Sequence, residues 1–594
     1  MNLRSKIIIE ILLKSYGVLL GKKEKDIMGE EQKNLVYLSD KIGSEYQRWN
    51  KDALVIIKAP TGCGKSHFIL NELLDYALMC RRRILYLVNR TILKDQLIKK
   101  CNEKSSELSV RYGQIINIWD YIHICTYQEI EQRLKYGDTD PLHANLSDVN
   151  GTPIEPYYYV VYDECHYFYA DADFNPGTEI SYGYLTQSFR NVVQIFMSAT
   201  IENMEDKIVA DLTYTSFVKL QLKQHKEYKM AVDYDYVDLH YIVDTKEILE
   251  LIKAERTEEW LIFTDNIDKG NELAKNIRTI HEKFAGDNVV FIDVRYKTDE
   301  SGSDSVRELV DNQLIEKPVI ITTSVLDNGV SFEDEGLRNI IIMADSKEEF
   351  IQMLGRKRPD GQRVQVYVCK RDKAYFGRKL HYIDTVKSCY DRYAGEIKSM
   401  WQSRNVLEQQ NVLNTMFSNE ATYRLLKRFC YFAVGYIKVG YFAELKIPKL
   451  QCFYRNMIKE FETDENAFLK VQAHWLGYSE ERIQEFIEGE TGQKLEDNRI
   501  KLEEELKKLL GENETLVLLR EENKEKLKRN AAIKNLLKFF FNRAENIEDK
   551  EKRLEAIGKN DRPMQPEEFN CCMETAQLNY EMVKEEKSFI IRRK

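Results

Sequence analysis

The stretch IIKAPTGCGKSHFIL, from Ile56 to Leu70, limits what this chain can fold into more than any other. An apolar run, LVIIKA, enters a glycine-rich turn. The turn passes through a lysine and a serine into SHFILNELLDYAL, whose apolar spacing is helical. Strand, loop and helix in that order are the setting of a phosphate-binding loop. Successive backbone N–H groups that open onto a helix N-terminus form a ready anion site. Gly62 and Gly64 lack a Cβ, so the backbone there can approach phosphate oxygens closely. The expectation is that Thr61, Gly62, Cys63 and Gly64 wrap the phosphates of ATP. Lys65 then reaches the β- and γ-phosphates, and the Ser66 hydroxyl holds Mg²⁺. Ala59 stands where the first glycine of such a loop is usual.

The second signal is YYYVVYDECHYF. The aromatic and apolar run from Tyr157 to Tyr162 reads as a strand, and Asp163 and Glu164 stand at its carboxyl end, where parallel α/β sheets place their ligands. By itself an Asp-Glu pair reads as a solvated loop. With a strand before it and a phosphate loop upstream, it reads as a catalytic pair. Asp163 is expected to hold Mg²⁺, and Glu164 to orient and deprotonate an attacking water. His166 is placed to couple this site to a further motif.

With the box reading DECH, the sequence resembles superfamily 2 helicases and translocases of the DExH type. Further motifs follow in the family's order. RRRILYLVNRTILKDQ, with Asn89 and Arg90, is similar to motif Ia. IHICTYQEIE, with Thr126, is similar to the threonine motif that grips nucleic-acid phosphates. QIFMSATI carries Ser198 and Thr200 of the SAT motif. WLIFTDNIDKGNELAKNI, with Thr264, resembles motif IV. PVIITTSVLDNGVSFED, with Thr323, Asp327 and Gly329, resembles motif V. FIQMLGRKRPDGQ, with Gln352, Arg356 and Arg358, resembles motif VI. The resemblance spans roughly Ala53 to Tyr375 and implies two tandem RecA-like α/β lobes with ATP between them. It implies nucleic-acid contacts at Asn89, Arg90, Thr126, Thr264 and Thr323. His166, Ser198 and Thr200 become coupling residues, Asp327 and Gly329 nucleotide contacts, and Gln352 and Arg356 catalytic groups of the second lobe.

The pattern also departs from the family. The last arginine of motif VI usually stands three positions after the central one, where this chain has Pro359. Arg356 is therefore the expected arginine finger. Arg358 either serves through a shifted turn or binds a neighbouring carboxylate. Ser331 stands where an acidic residue often follows motif V. Gln47, with Arg48 or Trp49, is the one nearby candidate for reading the base, although a plain helix surface is the stronger reading. Between motifs V and VI there is no room for an inserted strand-separating hairpin.

Length and composition set the rest. A chain of 594 residues has room for three or four domains of roughly 150 residues each. The boundaries expected are a helical extension at 1–44, lobes at 45–215 and 235–375, and an α-helical accessory domain at 376–594. The last of these is rich in Tyr and Phe at helical spacing, which reads as helix core more readily than as a base-stacking platform; Trp475 is one such residue. The charged stretch that follows Asp497 reads as a solvated helical hairpin or a partner-binding coil. No apolar run is long enough to span a membrane. At the N-terminus Glu10 and Lys14 interrupt the apolar run, favouring an amphipathic helix over a leader. The eleven cysteines are scattered without a CxxC pair, which argues against zinc, iron–sulfur and disulfide frameworks and fits the reducing cytoplasm. A net charge of −9 gives no support to nucleic-acid binding, but local basic patches suffice for it. The function expected is an ATP-dependent motor on DNA or RNA, DNA ahead of RNA, with a nuclease or defence subunit as a possible protein partner. A translocase that does not unwind and an ATP-controlled clamp are the alternatives.

Overall fold

The computed structural model describes residues 37–594 except 114, 144–145, 148–152, 155, 174, 214–223, 231–232, 256–257, 294–316, 324–331, 333–335, 358–360, 403–413, 415–417, 434–435, 441, 512–514, 545–546 and 560–561. Most of the expected N-terminal extension lies outside the described residues, as do Asp327, Gly329 and Arg358. The chain forms two compact units that divide between Tyr478 and Ser479.

The first unit contains two six-stranded sheets. Strands β1 (Ala53–Lys58), β2 (Ile84–Val88), β3 (Ile122–Thr126), β4 (Tyr159–Asp163), β5 (Val193–Ser198) and β6 (Gln224–Lys229) make the first, in the order β3-β2-β4-β5-β1-β6. Every pairing in it is parallel. Parallel strands are joined by crossover helices that cover both faces, which is why these segments read as unbroken apolar runs. Successive residues of β1 feed opposite sides: Leu54 and Ile56 join one apolar cluster, Val55 and Ile57 the other.

The order of the strands brings the motifs together. β4, β5 and β1 are neighbours, so the carboxylate pair, the SAT segment and the phosphate loop leave the same edge of the sheet side by side. The register fixes their level, with Lys58 opposite Ser198 and Asp163 opposite Met197.

Strands β7 (Val237–Ile242), β8 (Glu259–Phe263), β9 (Val289–Ile292), β10 (Val319–Thr322), β11 (Leu337–Ile342) and β12 (Val364–Cys369) form the second parallel sheet, ordered β9-β10-β8-β11-β12-β7. Helices flank both sheets, the architecture of tandem RecA-like lobes.

After β12 the chain becomes mainly helical, with helices Lys373–Gln402, Glu420–Phe429, Ile447–Glu460 and Ala467–Trp475. Phe376, Ile447, Tyr454 and Phe468 lie in their shared core. A short antiparallel hairpin, β13 (Cys430–Ala433) and β14 (Tyr436–Val439), interrupts the helices. This helical segment docks on both lobes. Tyr431 donates to the Glu131 carbonyl (2.9 Å) and Lys446 to the Ala170 carbonyl (2.8 Å) in the first. In the second, Trp475 packs on Phe350 with ring centroids 5.5 Å apart. Trp475 is thus a packing residue.

The second unit combines the long helix Glu480–Leu510 and helix Ala531–Arg543 with a three-stranded antiparallel sheet. Its strands β15 (Thr515–Leu519), β16 (Tyr580–Glu585) and β17 (Ser588–Arg593) are ordered β15-β17-β16. The stretch read as a solvated hairpin supplies Leu502, Leu506, Leu537 and Phe540 to this unit's core. Alternation of Tyr580 and Met582, then of Phe589 and Ile591, buries one face of the hairpin β16–β17. Among the described residues, no helix is long and apolar enough to cross a membrane. All eleven cysteines are free.

Candidate nucleotide site

The phosphate loop leaves β1 at Ala59, whose N–H donates to the Ser198 carbonyl (3.0 Å). Gly62 and Gly64 have φ of 86° and 89°, a region that disfavours side chains, so glycine is required at both. Lys65 begins the helical run Lys65–His67, Phe68–Leu73 and Leu74–Cys80. The Lys65 ammonium is buried and donates to the Ala59 carbonyl (3.1 Å) and to Glu164 Oε1 (3.2 Å). Burial alone would lower its pKa; the charges of Glu164 and Asp163 outweigh burial and raise it.

The two carboxylates differ in state because their neighbours differ. Burial, then repulsion from Glu164, pushes Asp163 up to about 6. Burial would raise Glu164 as well, but the charge of Lys65, the nearby His166 ring and the charge of Arg356 hold it well below the usual carboxylate range. Asp163 Oδ2 accepts from the Tyr86 hydroxyl (2.9 Å) and Oδ1 from the Glu164 N–H (3.0 Å). Glu164 itself has φ 48°, a left-handed conformation that costs a non-glycine residue about 1–2 kcal/mol. Its Oε2 is buried and makes no hydrogen bond, with His166 Nδ1 standing 3.4 Å away. An ionised carboxylate with one oxygen held by a lysine and the other unsatisfied suits acceptance of a proton from water.

His166 Nδ1 lies 3.1 Å from Ser198 Oγ, which also accepts from the Thr200 N–H (3.0 Å). The DECH box and the SAT segment are therefore joined by hydrogen bonds through buried side chains.

The second lobe completes the cavity. Helix Lys347–Leu354 is capped by Ser346 and carries Gln352 on a buried face. Arg356 is buried one turn on; it donates from Nε to the Gln352 carbonyl (2.9 Å) and from Nη2 to Gln352 Oε1 (3.0 Å). The Gln352 amide nitrogen is buried without a hydrogen-bond partner. Arg356 lines one cavity of about 640 Å³ together with Thr61, Gly62, Gly64, Lys65, Ser66, Asp163 and Glu164. The lobes also meet where Asn203 hydrogen-bonds Glu348.

Gly355 lies so close to the loop that a Cβ there would stand 2.8 Å from Thr61 Oγ1. Gly355→Ala should therefore push motif VI off the phosphate loop. The expected outcome is at least a tenfold fall in ATP turnover with unchanged thermal stability, read by steady-state kinetics beside a melting curve. Unchanged turnover would show that this approach of the lobes is not the working one.

Ser66 Oγ and the Asp163 carboxylate are hard oxygen donors on one side of the cavity, the donor set that magnesium takes beside phosphate oxygens and water. Among the described residues no group of three or more His, Cys, Asp or Glu offers another metal site.

The residues expected to touch nucleic acid stand at the carboxyl ends of their strands with different exposures. Asn89 and Thr126 are buried, and Thr126 caps helix Tyr127–Lys135 by accepting from the Glu129 N–H (3.1 Å). Thr264 is buried and donates to the Asn266 carbonyl (3.2 Å). Thr323 is half-buried after β10. Arg90 is half-buried and paired with Asp171 (2.7 Å), in the segment that follows the DECH box. Trp49 is packed among Tyr46, Phe68 and Tyr228, which removes it as a base platform. Tyr37 and Asp40 line the cavity instead. Sequence reasoning missed Tyr37, Tyr86 and Asp171. Tyr86 and Asp171 matter through what the strand order sets beside them, Tyr37 through the bond from the Leu38 N–H to the Cys63 carbonyl (3.0 Å) that holds its segment against the phosphate loop, and no local pattern shows either.

Residues 26–203 match the family model described as type III restriction enzyme, res subunit. A search of curated proteins found no match to the chain. Among solved structures, the chain is similar to Mss116p bound to ssRNA and AMP-PNP, at 14% identity and TM-score 0.43, covering 57% of this chain and 70% of that one. It is similar to the DEAD-box helicase Mss116 bound to ssRNA and UDP-BeF, at 14% identity and TM-score 0.44, covering 75% and 86%. It is also similar to the Mycobacterium smegmatis helicase Lhr bound to ssDNA and AMP-PNP, at 14% identity and TM-score 0.40, covering 57% and 46%. The phosphate loop, the DECH box and the SAT segment stand on three neighbouring strands inside the region that is similar to the type III restriction enzyme family.

Proposed function

We propose that the chain is an ATP-dependent motor that moves along nucleic acid, with a DExH-type hydrolytic site. The observation that carries this reading is the single cavity in which Lys65, Glu164 and Arg356 converge from two lobes. Lys65 and the loop amides bind the β- and γ-phosphates. Ser66 and Asp163 would hold Mg²⁺, which when bound neutralises phosphate charge. Glu164 orients a water and takes its proton at Oε2, the oxygen Lys65 does not hold. Arg356 meets the charge that develops on the phosphoryl group, and Gln352 keeps its guanidinium in place. The buried line from Glu164 through His166 and Ser198 to Thr200 gives the nucleotide state a route to the rest of the lobe.

The grip on nucleic acid falls to the strand ends, where Arg90 and Thr323 are partly exposed, while the buried side chains of Asn89, Thr126 and Thr264 would reach a polymer only after the strand ends rearrange. Contacts of this kind to phosphates carry no base information, so sequence preference should be low. The track is DNA or RNA, with DNA the first to test. Four residues, Met343 to Ser346, separate β11 from helix Lys347–Leu354. The absence of room for a wedge there favours translocation without strand separation as a second reading.

ATP turnover by the purified protein, alone and with single-stranded DNA, duplex DNA or single-stranded RNA, tests the proposal, with Lys65→Ala as control. Stimulation by one polymer, abolished in the control, is expected. Flat, near-zero turnover in every case would leave a nucleotide-controlled clamp. Strand displacement on a tailed duplex then separates unwinding from translocation.

A further inference from the structure

Tyr86 lies in β2, which pairs with β4 on the side away from β5, and its register partner is Val161. The ring is completely buried. Its hydroxyl lies 2.9 Å from Asp163 Oδ2 and 3.4 Å from Ser66 Oγ. The two side chains it bridges are the two oxygen donors assigned above to the divalent cation. We propose that Tyr86 is a positioning residue for that cation: its hydroxyl links Ser66 to Asp163 and turns the free lone pairs of both toward the ion. The inference rests on the nucleotide reading given above.

The number of protons available fixes the direction of both bonds. A phenol has one proton to give and lone pairs to receive. The nearer and stronger acceptor is the carboxylate, so the proton goes to Asp163 Oδ2. The phenol oxygen can then only accept, and the Ser66 hydroxyl donates to it. With its proton directed at Tyr86, Ser66 presents lone pairs to the cavity, which is the form a cation needs. At the other oxygen, the Glu164 N–H occupies a position on Asp163 Oδ1. Each carboxylate oxygen thus has one fixed donor, and the carboxylate plane is set before the ion arrives. Removing hydrogen bonds of this outer kind commonly weakens metal binding by about 10–100-fold. A phenylalanine would fill the same space, so packing alone does not call for the hydroxyl.

The test is Tyr86→Phe in the full chain, which deletes one oxygen and keeps the ring. Binding of Mn²⁺ to the complex with a non-hydrolysable ATP analogue is read by the electron spin resonance of free Mn²⁺, and Mg²⁺ is scored by competition. The expected result is metal affinity about tenfold weaker than in the parent. Analogue affinity in EDTA should stay within about twofold of the parent. Equal metal affinity in both proteins overturns the proposal. A parent protein whose binding of the analogue ignores metal overturns the nucleotide reading, and the proposal with it. A cycle with Ser66→Ala provides a second readout. If Tyr86 acts through Ser66 and Asp163, the double variant loses less than the product of the two single losses. Independent losses count against the linkage. Melting curves identify any variant that fails to fold; in that event Tyr86→Leu, which is smaller than the native ring and has no hydrogen-bonding group, replaces it in the same assay.

Discussion

Replacing Arg356 with alanine should slow ATP turnover by roughly three orders of magnitude or more while nucleotide still binds. The guanidinium is buried beside the phosphate loop and its Nε and Nη2 are spent on Gln352. Its charge already reaches Glu164, where it helps hold the carboxylate ionised. In the ground state that charge is shared with Lys65, so its loss is tolerated in binding. As the γ-phosphoryl group transfers, negative charge spreads to oxygens that Lys65 alone does not cover, and the second lobe's arginine becomes decisive. Arg356→Lys should recover little, because a lysine cannot reproduce two directed bonds to Gln352 and still point a donor at phosphate. Turnover with saturating nucleic acid, beside the affinity for a fluorescent ATP analogue, provides the check. A loss below tenfold would move the finger elsewhere, Arg358 first.

The first lobe was legible because its chemistry is carried by short, contiguous patterns. Gly62 and Gly64 announce a turn that needs positive φ, and the structure has it. The aromatic and apolar run from Tyr157 to Tyr162 announces a strand, and β4 covers Tyr159–Asp163. Tyr86 was not legible as part of the site. In ILYLV every residue is buried, so alternation marks nothing, and only the placement of β2 next to β4 brings its hydroxyl to Asp163. Arg90 was legible as a basic residue after a strand, but its partner, Asp171, lies 81 positions on and has no sequence signature of its own. Towards the C-terminus the helices were legible from spacing, whereas β13–β14 was not. Its residues are aromatic and apolar on both sides of a glycine, a composition that suits either a buried helix or a hairpin. The hairpin β16–β17 had a period-two pattern, obscured by the charged residues Lys584 to Lys587 at its turn.

Glu164→Gln should abolish most turnover, with a loss on the order of 10²–10⁴ for the base alone. It should also change how the protein responds to nucleotide, because Glu164 does two jobs. Before nucleotide binds, its Oε1 is the counter-charge of a buried lysine. Removing one partner of a buried ion pair typically costs about 3–5 kcal/mol, since the other charge is left uncompensated. The nucleotide-free variant should therefore melt lower than the parent. Phosphate oxygens then supply the missing charge to Lys65, and they do so without displacing a carboxylate. The variant should consequently bind ATP more tightly than the parent, and ATP should raise its melting temperature by more. A glutamine that merely damaged the fold would lower the melting temperature with and without ATP alike. A glutamine that only removed the base would leave the nucleotide-free melting temperature where it was. Only the shared use of Glu164 by Lys65 and by the attacking water predicts all three results together: lost turnover, a weaker empty state and a larger stabilisation by ATP. Turnover within tenfold of the parent, in a preparation free of parent protein, would take the base assignment away from Glu164.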